Sequence, residues 1–189
     1  AFVGNDEMAK TMLFKILMGE EKFDSGEVIW GKTVTKSYFP QDNSSYFTKD
    51  INIMEWIGQY YNIDDETVLR SFLGRMLFSG EDVFKKVPVL SGGEKARCML
   101  SKCMLEASNM LILDEPTAHL DLESITSLNN GLIKYDSELL FASHDHQFVS
   151  TIANRIIEIL PTGVIDRRLP YDEYLENKEV IKLREQANK

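Results

Sequence analysis

Apolar and polar positions change their spacing several times along this 189-residue chain, and the changes mark out alternating strands and helices. Phe2-Val3 reads as the tail of a buried strand. Strands average about five to six residues, so the expectation is a fragment whose upstream strands are missing. Over residues 10–18 the apolar side chains Leu13, Ile16 and Leu17 share one helical face, and Gly19 follows as a stop. Asp24-Ser25-Gly26 makes a turn, after which residues 27–31 and 33–39 read as two short strands around Gly31-Lys32, the second ended by Pro40. Residues 43–50 are a polar loop, and roughly 51–90 are helical. There Asp64-Asp65 can cap a helix whose Val68, Leu69, Phe72, Met76 and Leu77 form one apolar stripe, read as core packing. From Gly92 another helix places Ala96, Leu100, Cys103, Met104 and Ala107 on a face. Met110-Leu111-Ile112-Leu113 is a continuous apolar run, short enough for a buried parallel strand. Two more apolar runs, 138–142 and 155–159, alternate with helical stretches, which predicts an α/β fold with a largely parallel sheet. The last stretch, 171–189, is charged and reads as a helical tail leaving the domain.

Composition narrows the class without deciding it. A hydrophobic fraction of 43% over this length supports one domain with a sizeable core, carrying a helical subdomain over about 43–91. No apolar run approaches the roughly 18 residues a membrane span needs, and no signal-peptide pattern opens the chain. Cys98 and Cys103 lack metal-ligand spacing and read as reduced core thiols, so the expected compartment is the cytoplasm. A formal net charge of −9 argues against a general polyanion-binding surface, and no direct DNA binding is expected. It leaves room for a local basic pocket.

Three stretches carry chemistry. Gly4-Asn5-Asp6-Glu7-Met8-Ala9-Lys10-Thr11 fits the phosphate-loop template G-x-x-x-x-G-K-[ST], with Ala9 where the second glycine belongs. Such a loop curls backbone N–H groups around phosphate oxygens at the positive end of a helix. Lys10 would neutralise the β- and γ-phosphates, and the Thr11 hydroxyl would ligate Mg²⁺. Next, Leu111-Ile112-Leu113-Asp114-Glu115 is an apolar strand ending in two carboxylates, beyond the carboxyl end of a strand where ligands bind. Asp114 is placed to hold Mg²⁺ and Glu115 to take a proton from an attacking water. Third, Leu90-Ser91-Gly92-Gly93-Glu94 opens a helix as a second anion-binding end. One chain with two such ends and one phosphate loop suggests that the second serves another domain's nucleotide.

The order of phosphate loop, Phe39-Pro40-Gln41, LSGGE, LILDEPT, HLD and SHD resembles that of an ABC ATPase nucleotide-binding domain, over nearly the whole chain. The resemblance implies ATP and Mg²⁺ sandwiched head to tail between two domains. Gly4 to Met12 would hold phosphate, and Thr11, Gln41 and Asp114 the metal. Glu115 would be the base, with Gln41 and His144 placing water and γ-phosphate. Ser91, Gly92, Gly93 and Glu94 would act on the partner site, and Leu120-Asp121 would form the D-loop. His119 and His146 receive no such role. LSGGEKAR, DEPTAHLDLESI and the Tyr171-Asp172-Glu173-Tyr174-Leu175 close are similar to soluble ABC-F proteins, most of all to their second domain. That implies a two-domain protein acting on the ribosome. An ABC transporter's ATPase subunit remains an alternative, as does a non-hydrolysing regulatory domain. Chromosome-maintenance heads also use LSGGEKA but separate the motifs by a long coiled coil, which this chain lacks. Three departures stand in the phosphate loop. Ala9 would be strained if its φ were positive. The Glu7 carboxylate is expected to point away from phosphate, and Met12 removes a hydroxyl.

Overall fold

The computed structural model describes residues 1–61 and 66–187. Among these, the strands β1 (Phe2–Val3), β2 (Lys36–Phe39), β3 (Met110–Asp114), β4 (Glu138–Ala142), β5 (Ile156–Leu160) and β6 (Gly163–Arg167) form one sheet in the order β2-β3-β4-β1-β5-β6. Every neighbouring pair runs parallel except the β5–β6 hairpin. β3 reads as an unbroken apolar run because it lies between β2 and β4 and is covered on both faces. Phe2, Phe14, Tyr38, Ile112 and Ala142 pack on one face, and the larger core lies on the other.

Helix α1 (Glu7–Met18) follows β1 directly. It begins a turn earlier than the apolar spacing predicts, because the Asp6 carboxylate accepts from the Ala9 N–H at 2.9 Å and caps it. Its Phe14 is fully buried, edge-on to Phe2 at 5.4 Å. Residues 27–31, expected as a strand, form no ladder, and regular extended structure begins only at Lys36. β2 is an edge strand among the described residues, and nothing there pairs with 27–31, so Ile29 stays 78% exposed. The turn at Gly31 does form, with Val34 N–H donating to Gly31 C=O.

The helical region holds α2 (Ile53–Gly58) and α3 (Glu66–Arg75), joined to the next helix by short 3₁₀ turns. Trp56 is buried, stacks on Phe47 at 4.8 Å and donates its indole N–H to Tyr46 C=O. The Asp64-Asp65 cap lies outside the described residues. Along α3 the buried side chains are Leu69 and Leu73, with Met76 just beyond it, whereas Val68 is exposed. Leu77 leaves the expected stripe because its φ of 62° has already ended the helix. α4 (Gly92–Leu105) is buried along most of its length, and Cys98 and Cys103 are free thiols inside it. Burial pushes the Cys103 thiol up to about 11, so it is inert at neutral pH. Ala107 falls past the end of this helix and off its face.

α5 (Leu122–Leu132) and α6 (His146–Ile152) cross between strands. The segment expected to leave the domain instead folds back on it, as α7 (Tyr171–Glu176) and α8 (Lys178–Ala187). Tyr174 and Val180 are fully buried, so the charged sequence conceals two anchors, one on each helix. No described helix is long and apolar enough to cross a membrane.

Candidate nucleotide site

Apart from Ser91 to Glu94, the predicted site residues converge at the carboxyl ends of β1, β2, β3 and β4. β1 feeds Gly4-Asn5-Asp6 into α1, and only these three residues lie outside regular structure. Gly4 has φ +133°, and a Cβ there would sit 2.4 Å from the Ile159 carbonyl oxygen, so both conformation and space demand glycine. Ala9 has no positive φ and is helical. The methyl group is therefore unstrained, contrary to the concern raised by the template. Asn5, Asp6, Glu7 and Met8 are exposed, as is Met12.

Lys10 is 2% exposed and places Nζ 3.6 Å from Glu115 Oε1. Glu115 ends β3 with φ 49°, an unusual conformation for a side-chain-bearing residue. Two contacts hold it there. Its N–H donates to Ala142 C=O at 3.0 Å, and its Oε2 accepts from the His144 N–H at 3.1 Å. Its Oε1 is buried and accepts no hydrogen bond. The His144 ring sits over the same carboxylate, with Nε2 3.5 Å from Glu115 Oε1 and 3.0 Å from Glu7 Oε1. Glu7 thus points into the site rather than away from it. The register of β3 on β4 puts Asp114 beside Ala142, which brings His144 next to the strand-end carboxylates.

Asp114 is buried with Oδ2 unpartnered, and burial raises its carboxyl above the ordinary range, opposed by the Thr11 hydroxyl beside it. Thr11 Oγ1 lies 3.4 Å from Gln41 Oε1 across the end of β2. One hydroxyl, one amide oxygen and one free carboxylate oxygen are hard donors that suit Mg²⁺ alongside phosphate and water. No three described His, Cys, Asp or Glu side chains cluster as a self-sufficient metal site.

A cavity of about 1090 Å³ opens beside this centre, walled by Gly4 to Glu7, Ala9, Lys10, His144, His146 and Arg184. None of Ser91, Gly92, Gly93 and Glu94 lines it. Those four form their own helix start. Ser91 N–H donates to Glu94 Oε2 at 2.8 Å, and Ser91 Oγ accepts from the Glu94 N–H at 3.3 Å. Gly93 has an internal reason to be glycine, since a Cβ there would meet the His119 carbonyl oxygen at 2.7 Å. His119 therefore touches the signature helix through its backbone, a packing role invisible in the motif. Asp121 caps α5 by accepting from the Ser124 N–H. His146 pairs with Asp172 on the surface. Thr117 of LILDEPT and Ser143 of SHD, given no role from the sequence, share a buried hydroxyl hydrogen bond of 2.8 Å. Glu158 lines the cavity from β5.

These features define a phosphate-loop ATPase domain, and comparison with known proteins places it. The family model described as "ABC transporter" matches residues 1–118, so the chain belongs to the ABC ATP-binding family. The chain is 62% identical over 184 residues to the uncharacterized ABC transporter ATP-binding protein YkpA of Bacillus subtilis, covering 96% of this chain and 34% of that protein. It is 36% identical to ABC transporter F family member 2 of Arabidopsis thaliana, covering 98% of this chain and 27% of the relative. It is 34% identical to the energy-dependent translational throttle protein EttA of Escherichia coli K12, covering 91% and 32% respectively. The chain thus spans about a third of the length of these relatives, and its likeness within the ABC family runs to F-family members.

Proposed function

We propose that this chain is one ATP-hydrolysing half of a soluble, cytoplasmic ABC-F-type protein that closes on a second ABC domain. The observation that carries the reading is the Lys10–Glu115–His144 cluster around the unpartnered oxygens of Asp114 and Glu115. A buried, acceptor-only carboxylate beside a buried ammonium leaves one lone-pair direction for a water. Lys10 and the loop N–H groups would hold the phosphates. Gln41 and His144 would orient the attacking water and the γ-phosphate, and Glu115 Oε1 would take the proton. Thr11, Gln41 and Asp114 would hold Mg²⁺, which when bound supplies charge neutralisation on the phosphates. Ser91 to Glu94 contact one another, Lys85 and His119 rather than Lys10, Glu115 or His144, which supports their acting on a partner's nucleotide.

Glu115→Gln in the two-domain protein is expected to lower ATP turnover about 100- to 10,000-fold while nucleotide still binds. Unchanged turnover would instead mark a non-hydrolysing regulatory domain.

The relative named as a translational throttle supports the ribosome as the machine driven. Because the chain is acidic, RNA contact would fall to a segment other than this domain's general surface. Full-length protein is expected to co-sediment with ribosomes. Co-sedimentation with membranes alone would favour a transporter ATPase subunit.

A further inference from the structure

The cluster contains one carboxylate that the ATPase reading does not use. Glu7 stands at the first helical position of α1, inside the phosphate loop, and its Oε1 lies 3.0 Å from His144 Nε2. His144 has its backbone N–H committed to Glu115 Oε2, which anchors the residue and leaves the ring to choose a partner. Both side chains of the Glu7–His144 pair are more than half exposed, so either can move. A carboxylate oxygen and a terminal phosphate oxygen are the same kind of acceptor. With its proton on Nε2, facing the Glu7 carboxylate, the ring cannot serve both acceptors at full strength.

We infer that Glu7 is a positioning residue that holds the His144 ring in the nucleotide-free chain and competes with the third phosphate for it. The inference rests on the ATP-site reading above. It makes Glu7 an internal competitor selective against triphosphate. On that reading a diphosphate lacks the phosphate that His144 would hold and meets no such competition. After the terminal phosphate leaves, the same contact re-forms and returns the ring to its starting place. The exposed setting limits the effect, because ion pairs of this kind are worth at most about 1 kcal/mol, or roughly fivefold.

The test is a double-mutant cycle on the full protein, read by titration with fluorescent MgATP and MgADP analogues. Glu7→Ala is expected to bind the ATP analogue about two- to fivefold more tightly and the ADP analogue nearly unchanged. In a His144→Ala background the same substitution is expected to change neither affinity. Equal gains for both nucleotides, a gain that survives without His144, or no gain at all would overturn the inference. The first two outcomes would mean plain repulsion between Glu7 and any phosphate. A second readout needs no nucleotide. The His144 ring ¹⁵N resonances, assigned by their loss in His144→Ala, should shift in nucleotide-free Glu7→Ala, and unmoved resonances would overturn the contact. Failure of both analogues to bind wild-type protein would strike instead at the ATP-site reading itself.

Discussion

At the scale of single residues, the phosphate loop departs from its template in composition without acquiring backbone strain. Ala9 is helical, so its methyl group supports α1 rather than opposing it. Ala9→Gly, which restores the template, is expected to lower stability by about 0.5–1 kcal/mol by denaturant titration and to leave ATP affinity unimproved. Gly4 is the opposite case. Gly4→Ala forces a side chain into a disfavoured conformation and against the Ile159 carbonyl, a loss on the order of 2–3 kcal/mol by the same measurement. Asp114 gives the third residue-scale prediction. Burial raises its carboxyl, so the folded chain keeps a proton that the unfolded chain has lost. Such a group favours folding at low pH, and the contribution is lost as pH rises through the folded value. Asp114→Asn is therefore expected to raise the Tm of nucleotide-free protein at about pH 8. That gain should shrink as pH falls towards the ordinary carboxylate range near pH 4. The same variant should lose Mg²⁺-dependent nucleotide binding. A site carboxylate that opposes folding is the usual trade between stability and function.

At the scale of elements, sequence period located most pieces, and neighbours decided the rest. β3 and β4 stand where the apolar runs put them, and α4 begins at its serine. The strand expected over 27–31 failed because a strand is a pairing, not a property of one segment. The helical tail was expected, but its docking back onto the domain as α7 and α8 was missed for the converse reason. Their charge density suggested solvent, but the Glu158 carboxylate on β5 accepts from Arg184 Nε at 2.7 Å and from the Tyr174 hydroxyl at 2.6 Å. An acidic residue in a β strand and a basic one 26 positions later announce nothing to a periodicity count. Removing Arg184 leaves a nearly buried carboxylate with one neutral donor. Arg184→Met is expected to destabilise the fold by about 2 kcal/mol and to expose residues 178–187 to proteolysis before global unfolding.

Across the whole molecule, the motifs face different ways. The phosphate loop, Asp114, Glu115 and His144 share one centre, while Ser91 to Glu94 contact one another, Lys85 and His119. On the proposed head-to-tail pairing, an isolated domain turns over ATP poorly because its signature cannot reach its own nucleotide. Specific ATPase activity of the 189-residue chain is expected to rise with protein concentration, since each active unit would need two copies. A concentration-independent rate would show that one domain suffices. Gly93 packs against the backbone of His119, the residue before Leu120-Asp121, so these two stretches are in contact within one chain.

The sequence by itself determined the family, the order of the motifs and the chemical types at the site, because phosphate binding needs particular side chains at fixed spacing. Lys10, Thr11, Asp114, Glu115 and His144 were legible for that reason. Only the tertiary structure decided which groups meet. It turned the α1 helix start to cap on Asp6, set Glu7 against His144 across 137 positions and left Asp114 Oδ2 without a partner. It also folded the charged carboxyl-terminal segment onto Glu158. Those outcomes depend on distances between residues remote in the chain, and spacing along a sequence carries no record of them.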